Sequence, residues 1–228
     1  MLATVPLPDG DCRLCPRLAD FRAENREKFP DWHNAPVTPF GSLGAELLIV
    51  GLAPGLRGAN RTGRPFTGDY AGDLLYDTLL AFEFAVGAYA QHPDDGFELT
   101  DCRVTNGVRC VPPQNKPVGA EINACRPFLL TEIEAMPNLK CILALGGIAH
   151  NTVLRAFGLK VSAWKFGHNT VHYLPDLPVL VNSYHCSRYN TNTGRLTEEM
   201  FHDAFRSIRK VVQPKSARTS AGCVAASG

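Results

Sequence analysis

Two loops and a set of cysteines carry the chemistry in this sequence. Gly51-Leu52-Ala53-Pro54-Gly55 follows an apolar run, and Gly63-Arg64-Pro65-Phe66-Thr67-Gly68-Asp69 closes the same loop. Glycines let a backbone pass close to a phosphate or a planar base, and exposed N–H groups can hydrogen-bond it. No Walker or dinucleotide spacing is present, which disfavours a nucleoside triphosphate or a dinucleotide. With an aromatic at Phe66 and a carboxylate at Asp69 the loop reads as a base-binding pocket. The plainer reading makes Phe66 a core aromatic and Asp69 a helix N-cap. A second loop, Ser183-Tyr184-His185-Cys186-Ser187-Arg188-Tyr189-Asn190, follows the last apolar strand. There His185 can give a hydrogen bond or a positive charge to a developing anion. Ser187 can bond a phosphate, and Tyr189 can stack or wedge. His33, His92, His150, His172 and His202 read as chemically inert.

Cys12 and Cys15 form a C-x2-C pair, and Cys110 and Cys125 a C-x14-C pair in a Pro-rich stretch that leads into a helix. Four thiolates satisfy tetrahedral zinc or a cubane iron–sulfur cluster. Spacing alone leaves both open, and no metal at all as a third alternative. Cys102, Cys141, Cys186 and Cys223 have no partner at such spacing, and Cys141 reads as core.

These residues need a scaffold. Glu46–Ala53 is a short apolar run that reads as a buried parallel strand. A helix is predicted from about Gly68, with Leu74, Leu75, Leu79, Phe82 and Val86 at helical spacing. Arg103–Asn106, Cys141–Leu145, Thr170–Tyr173 and Val179–Asn182 read as further strands. Helices are predicted over Val118–Met136, from Gly146-Gly147 through Phe157, and over Thr197–Val212 with Thr197 as N-cap. The alternation predicts a three-layer α/β/α sandwich with a central, mostly parallel sheet of about four strands. Ligands in such sheets bind beyond the carboxyl ends of the strands, here the loops after Val50 and Val181. Residues 1–213 read as a single domain with an N-terminal metal segment, and 214–228 as a disordered tail.

Composition bounds the class. The chain has 228 residues, 45% of them hydrophobic, too apolar for a disordered protein, and no run nears the roughly 18 apolar residues of a membrane span. The first residues carry Asp11 and Asp20 and no apolar h-region, so no secretory signal is expected and the location reads as cytoplasmic. A reducing cytosol does not keep structural disulfides, so eight cysteines point to coordination chemistry. A net charge of +1 argues against nucleic acid, but its distribution argues for it: 16 of the 23 cations are Arg. Residues 51–64 hold Arg57, Arg61 and Arg64 and no acid, whereas residues 65–102 hold eight acids and no Lys or Arg.

The motifs GLAPG (51–55), GRPFTGD (63–69), TNGVRCVPPQNKP (105–117), KFGH (165–168) and HCSRYNTNTGRLT (185–197) resemble the uracil-DNA glycosylase superfamily. The similarity is greatest to family 5, its iron–sulfur "b" type, and with the four cysteines it spans residue 12 to about 200. The resemblance implies a structural [4Fe–4S] cluster on Cys12, Cys15, Cys110 and Cys125. It implies a monofunctional glycosylase that flips uracil, and other deaminated bases such as hypoxanthine, out of double-stranded DNA. The enzyme then hydrolyses the N-glycosidic bond and leaves an abasic site. Flipping is required because a pocket cannot enclose a stacked base.

Carried over by motif, Phe66 stacks on the flipped base, and Gly51 and Ala53 line its pocket. Asn106 hydrogen-bonds the base or positions water, and His185 stabilises charge on the departing base. Arg64, Ser187, Arg188, Asn190 and Arg195 face the DNA, and Tyr189 stands at the wedge position. Ala53 departs from the Asp or Asn of other branches, and Leu52 from the Glu of family 4. Alanine cannot activate water, so Asp69 becomes the candidate general base or cation stabiliser, assisted by Asn106. A small Ala53 and an apolar Leu52 suit a roomier, less selective pocket. Cys186 stands where Pro is common, which frees a backbone N–H. The implied partner is DNA, with nucleoid association through it; no membrane is implied, and a monomer is expected. The alternative is a non-catalytic iron–sulfur module that recognises uracil-containing DNA.

Overall fold

The computed structural model describes residues 6–213, so the tail expected over 214–228 lies outside the described residues. The chain runs α1 (Pro16–Lys28), β1 (Phe40–Gly41), β2 (Leu47–Gly51), α2 (Ala59–Thr62), α3 (Tyr70–Ala81), β3 (Ala85–Val86), β4 (Glu98–Leu99) and β5 (Cys102–Asn106). It continues through α4 (Gly119–Glu134), β6 (Cys141–Leu145), α5 (Gly147–Ala156), β7 (Val171–His172), β8 (Val179–Ser183), α6 (Arg188–Asn192) and α7 (Glu198–Arg209).

The sheet has six strands in the order β1-β5-β2-β6-β8-β7, two more than the count of about four expected for it. The four central strands are parallel and the outer two are two-residue antiparallel edges; β7 falls inside the predicted Thr170–Tyr173, and only β1 was not foreseen. An edge as short as Phe40–Gly41 carries too little sequence to announce itself. Every residue of β2, β5 and β6 is buried, as expected where helices cover both faces of a parallel sheet. Alternation sorts their side chains. Leu47, Ile49, Val104 and Leu143 pack with Leu75 and Leu79 of α3 and Phe201 and Phe205 of α7. Leu48, Val50, Ile142 and Ala144 pack with Leu129 and Ile133 of α4 and Val153 and Leu154 of α5. The three layers follow from that alternation.

Two predicted details change. The helix expected to run past Phe82 stops at Ala81, because Glu83 takes a left-handed φ of 56°. Val86 instead joins β3, which pairs with β4 as a small hairpin. Helix α1 has no counterpart in the sequence reading: its inward residues are Leu18, Arg22 and Asn25, so no apolar stripe marks it. It rests on a satellite cluster of Leu18, Val108, Cys110, Ile122 and Cys125, apart from the main core. Among the described residues no helix is long and apolar enough to cross a membrane.

Candidate active site

Parallel strands bring their carboxyl ends to one edge of the sheet, and there Gly51 of β2 lies in register with Asn106 of β5. A Cβ on residue 51 would sit 2.5 Å from both Asn106 Oδ1 and Phe66 Cζ, so only glycine lets these side chains meet over the strand end. Phe66 is buried and held at a left-handed φ of 56°. Such a conformation is costly for an aromatic residue and marks a backbone overruled by its surroundings. Asn106 Oδ1 is buried without a hydrogen-bond partner. A buried acceptor left open points to a ligand group or water.

Asp69 takes the helix N-cap place of its plainer reading and also lines the cleft. As N-cap of α3, its Oδ1 accepts from Ala71 N at 3.1 Å and Gly72 N at 3.3 Å. Its Oδ2 lies over the glycine loop, where a Cβ on Gly58 would come within 2.4 Å. Burial raises its carboxyl above the usual range, against the two N–H groups that lower it. His185, two residues beyond β8, lies 5.9 Å from the Phe66 ring between centroids, with the planes 26° apart. Burial pulls its imidazole down to about 4, so at neutral pH it is uncharged. Of the two options the sequence left for His185, the hydrogen bond is retained and the positive charge is not.

Phe66, Asp69, Asn106 and His185 line one cleft of about 510 Å³, together with Ala53 and Ser187. Tyr70, Asn115 and Arg188 also line it. Tyr70, one residue past the GRPFTGD motif, carried no signal in the sequence, and Asn115 none beyond lying inside a quoted motif. Arg188 stacks on the Tyr70 ring at 5.2 Å, and Arg195 on Tyr184 at 4.7 Å. Ser187 caps α6 by accepting from Asn190 N. Asn190 donates its side-chain amide to His185 O at 2.8 Å, so its amide holds the histidine loop. Tyr189, the next residue of α6 after Arg188, is 73% exposed.

Arg64 corrects an expectation. It is buried, bonded through both Nη atoms to Asp95 at 2.8 Å and through Nε to Thr67 Oγ1 at 2.7 Å. Its guanidinium lies within cation–π range of Phe40, Tyr76, Tyr89 and Phe97. It braces the loop from inside and is closed to DNA. The cations free to face a polyanion on this loop are the exposed Arg57 and Arg61.

Cys12, Cys15, Cys110 and Cys125 line a common small cavity walled by Leu14, Leu18, Val108 and Phe128. Two of the sulfurs accept hydrogen bonds: Cys110 Sγ from Arg22 Nη1 and Cys125 Sγ from Arg109 N, each at 3.4 Å. Cys102, Cys141 and Cys186 are buried elsewhere, and Cys186 donates to Ala71 O at 3.4 Å, joining the histidine loop to α3. His150 sits in the core between Asn182 Oδ1 and Trp164 O, as its inert reading requires.

Residues 38–209 match the family model of the uracil DNA glycosylase superfamily. That span runs from just before β1 to the last residue of α7 and encloses the sheet and its cleft. A type-5 uracil-DNA glycosylase of Thermus thermophilus is 42% identical over 207 residues, covering 88% of this chain and 93% of the relative. One from Mycobacterium leprae is 42% identical over 210 residues (88% and 91% covered), and one from Pyrobaculum aerophilum 36% over 200 (86% and 87%). With sheet, cleft and motifs all inside the matched span, the chain belongs to the uracil DNA glycosylase superfamily, in its type-5 branch.

Proposed function

We propose that this chain excises uracil, and with it other deaminated bases such as hypoxanthine, from double-stranded DNA by hydrolysing the N-glycosidic bond. The observation that carries this reading is the convergence of Phe66, Asp69, Asn106 and His185 on one cleft at the strand ends. A base flipped into the cleft stacks on Phe66, and the open Asn106 Oδ1 accepts from a base N–H. As the bond between sugar and base breaks, its electron pair passes to the base and the sugar becomes oxocarbenium-like. Neutral His185 donates an N–H to the charge growing on the base. Asp69 Oδ2 steadies the cationic sugar and takes a proton from the attacking water, whose oxygen bonds the anomeric carbon. Ala53 and Leu52 leave one wall small and apolar, which supports a tolerant pocket. Exposed Arg188 and Arg195 serve the phosphates, and Tyr189 fills the gap in the duplex.

The same reading gives Cys12, Cys15, Cys110 and Cys125 a [4Fe–4S] cluster. The four thiols share one cavity. The N–H groups on two of the sulfurs fit a thiolate-bound cluster. When bound, the cluster supplies a cross-link between the N-terminal segment and the loop after β5.

Incubation with a uracil-containing duplex is expected to leave alkali-labile abasic sites. Asp69→Ala and His185→Ala should each slow their formation by at least about tenfold. Binding of the duplex without release of free base would instead make the chain a non-catalytic reader of uracil and sink the proposal.

A further inference from the structure

Among the described residues four arginines lie buried, and three have carboxylates. Arg103 and Arg109 pair with Glu132, and Arg64 with Asp95. Arg22, 3% exposed on the inner face of α1, is the exception. Its Nη1 donates to Cys110 Sγ at 3.4 Å and its Nη2 to Cys12 O at 2.9 Å, while Nε is buried without a partner. Asp11 feels it at longer range, but that carboxylate is exposed and bonded to Arg26 at 2.6 Å. A guanidinium cannot shed its proton, so a buried one needs an anion. Here the candidate anion is the cysteine set, once those sulfurs are thiolates. The planar fork of Arg22 reaches both pairs at once, through the backbone of the first and the sulfur of the second. Lysine, with a single nitrogen, cannot reproduce that span.

We infer that Arg22 positions the four-cysteine centre and supplies its counter-charge through the hydrogen bond to Cys110 Sγ. This rests on the cluster reading above, and the test separates the two. The holoprotein, Arg22→Met and Arg22→Lys are purified without oxygen and compared by resonance Raman of the iron–thiolate stretching bands. They are then compared by the rate at which absorbance at about 400 nm is lost to a chelator. A sulfur relieved of its hydrogen bond binds iron more strongly, so Arg22→Met should move the bands to higher frequency. The unbalanced charge should let it lose colour about tenfold faster, the usual scale for outer-shell partners. Arg22→Lys should fall between, charge kept and fork lost. Bands and rate unchanged in folded Arg22→Met overturn the inference. If that variant does not fold, unchanged bands in Arg22→Lys do so. A colourless wild-type protein, or one carrying zinc, overturns the cluster reading and the inference with it.

Discussion

The same burial pushes two cleft residues toward their uncharged forms. His185 falls to about 4 and Asp69 rises above the ordinary carboxylate range. For the proposed chemistry the sign matters. The basic form of Asp69 is lost as pH falls through its raised value, so its acid limb lies at higher pH than an ordinary aspartate would give. His185 acts as a neutral donor and titrates below its usual range, so it adds no limb near the free imidazole value of about 6.5. Single-turnover base release from about pH 4 to pH 9 should therefore show an acid limb that Asp69→Asn removes. A limb near the free imidazole value that vanishes in His185→Gln would contradict the neutral-donor role. Much of this cleft was legible in residue types, because Gly51, Phe66, Asp69 and His185 stand in glycine-rich or strand-end loops. The open Asn106 acceptor and the strained φ of Phe66 were not, since both depend on what the fold brings against them.

At the scale of elements, strands were the easiest to read and helix ends the hardest. β6 falls on its predicted span, Cys141–Leu145, because a run buried on both faces has nothing polar to blur it. Thr197 caps α7 as its side chain predicts, accepting from Met200 N. The β3–β4 hairpin was hidden because Val86 happens to continue a helical spacing. The hairpin also explains the error at Arg64. Its partner Asp95 lies in the β3–β4 connection, and nothing in the sequence couples that turn to the glycine loop. The pair fastens the hairpin to the loop, and Arg64 Nη1 also bonds Pro93 O at 3.2 Å. Arg64→Met should cost about 3 kcal/mol, the scale for stranding one partner of a buried ion pair. The guanidinium holds the Asp95 carboxyl well below its usual range, so this stabilisation is present at neutral pH and fades as acid protonates the carboxylate. Urea unfolding at neutral pH measures it. An unchanged midpoint with weakened DNA binding would return Arg64 to the DNA face.

The whole molecule joins a sheet-based body to an N-terminal helix by contacts of a different kind. The body is held by two large apolar clusters on either side of the sheet. Helix α1 is held by the small cluster around Leu18, by the Arg17–Glu121 pair at 2.7 Å and by the cysteine cavity. Elements with little apolar burial open first, well below the free energy of global unfolding. Removing the proposed cluster with a chelator should therefore expose the segment around Pro16–Lys28 to limited proteolysis, with residues 38–209 surviving as a folded fragment. Equal protection of both regions after complete metal loss would count against it. Net charge belongs to this scale as well: a near-neutral sum hides an arginine-bearing cleft rim, which is why the total misdirects.

The satellite position of α1 has one further consequence. Ligand binding adds to the stability of the part that binds it, so if the proposed cluster is the bound group, the closing free energy of this helix depends on iron supply as well as on its own sequence. In a cell short of iron the enzyme would not melt as a unit. It would persist as an intact catalytic body trailing a loose N-terminal arm, and that arm is the segment a housekeeping protease would find.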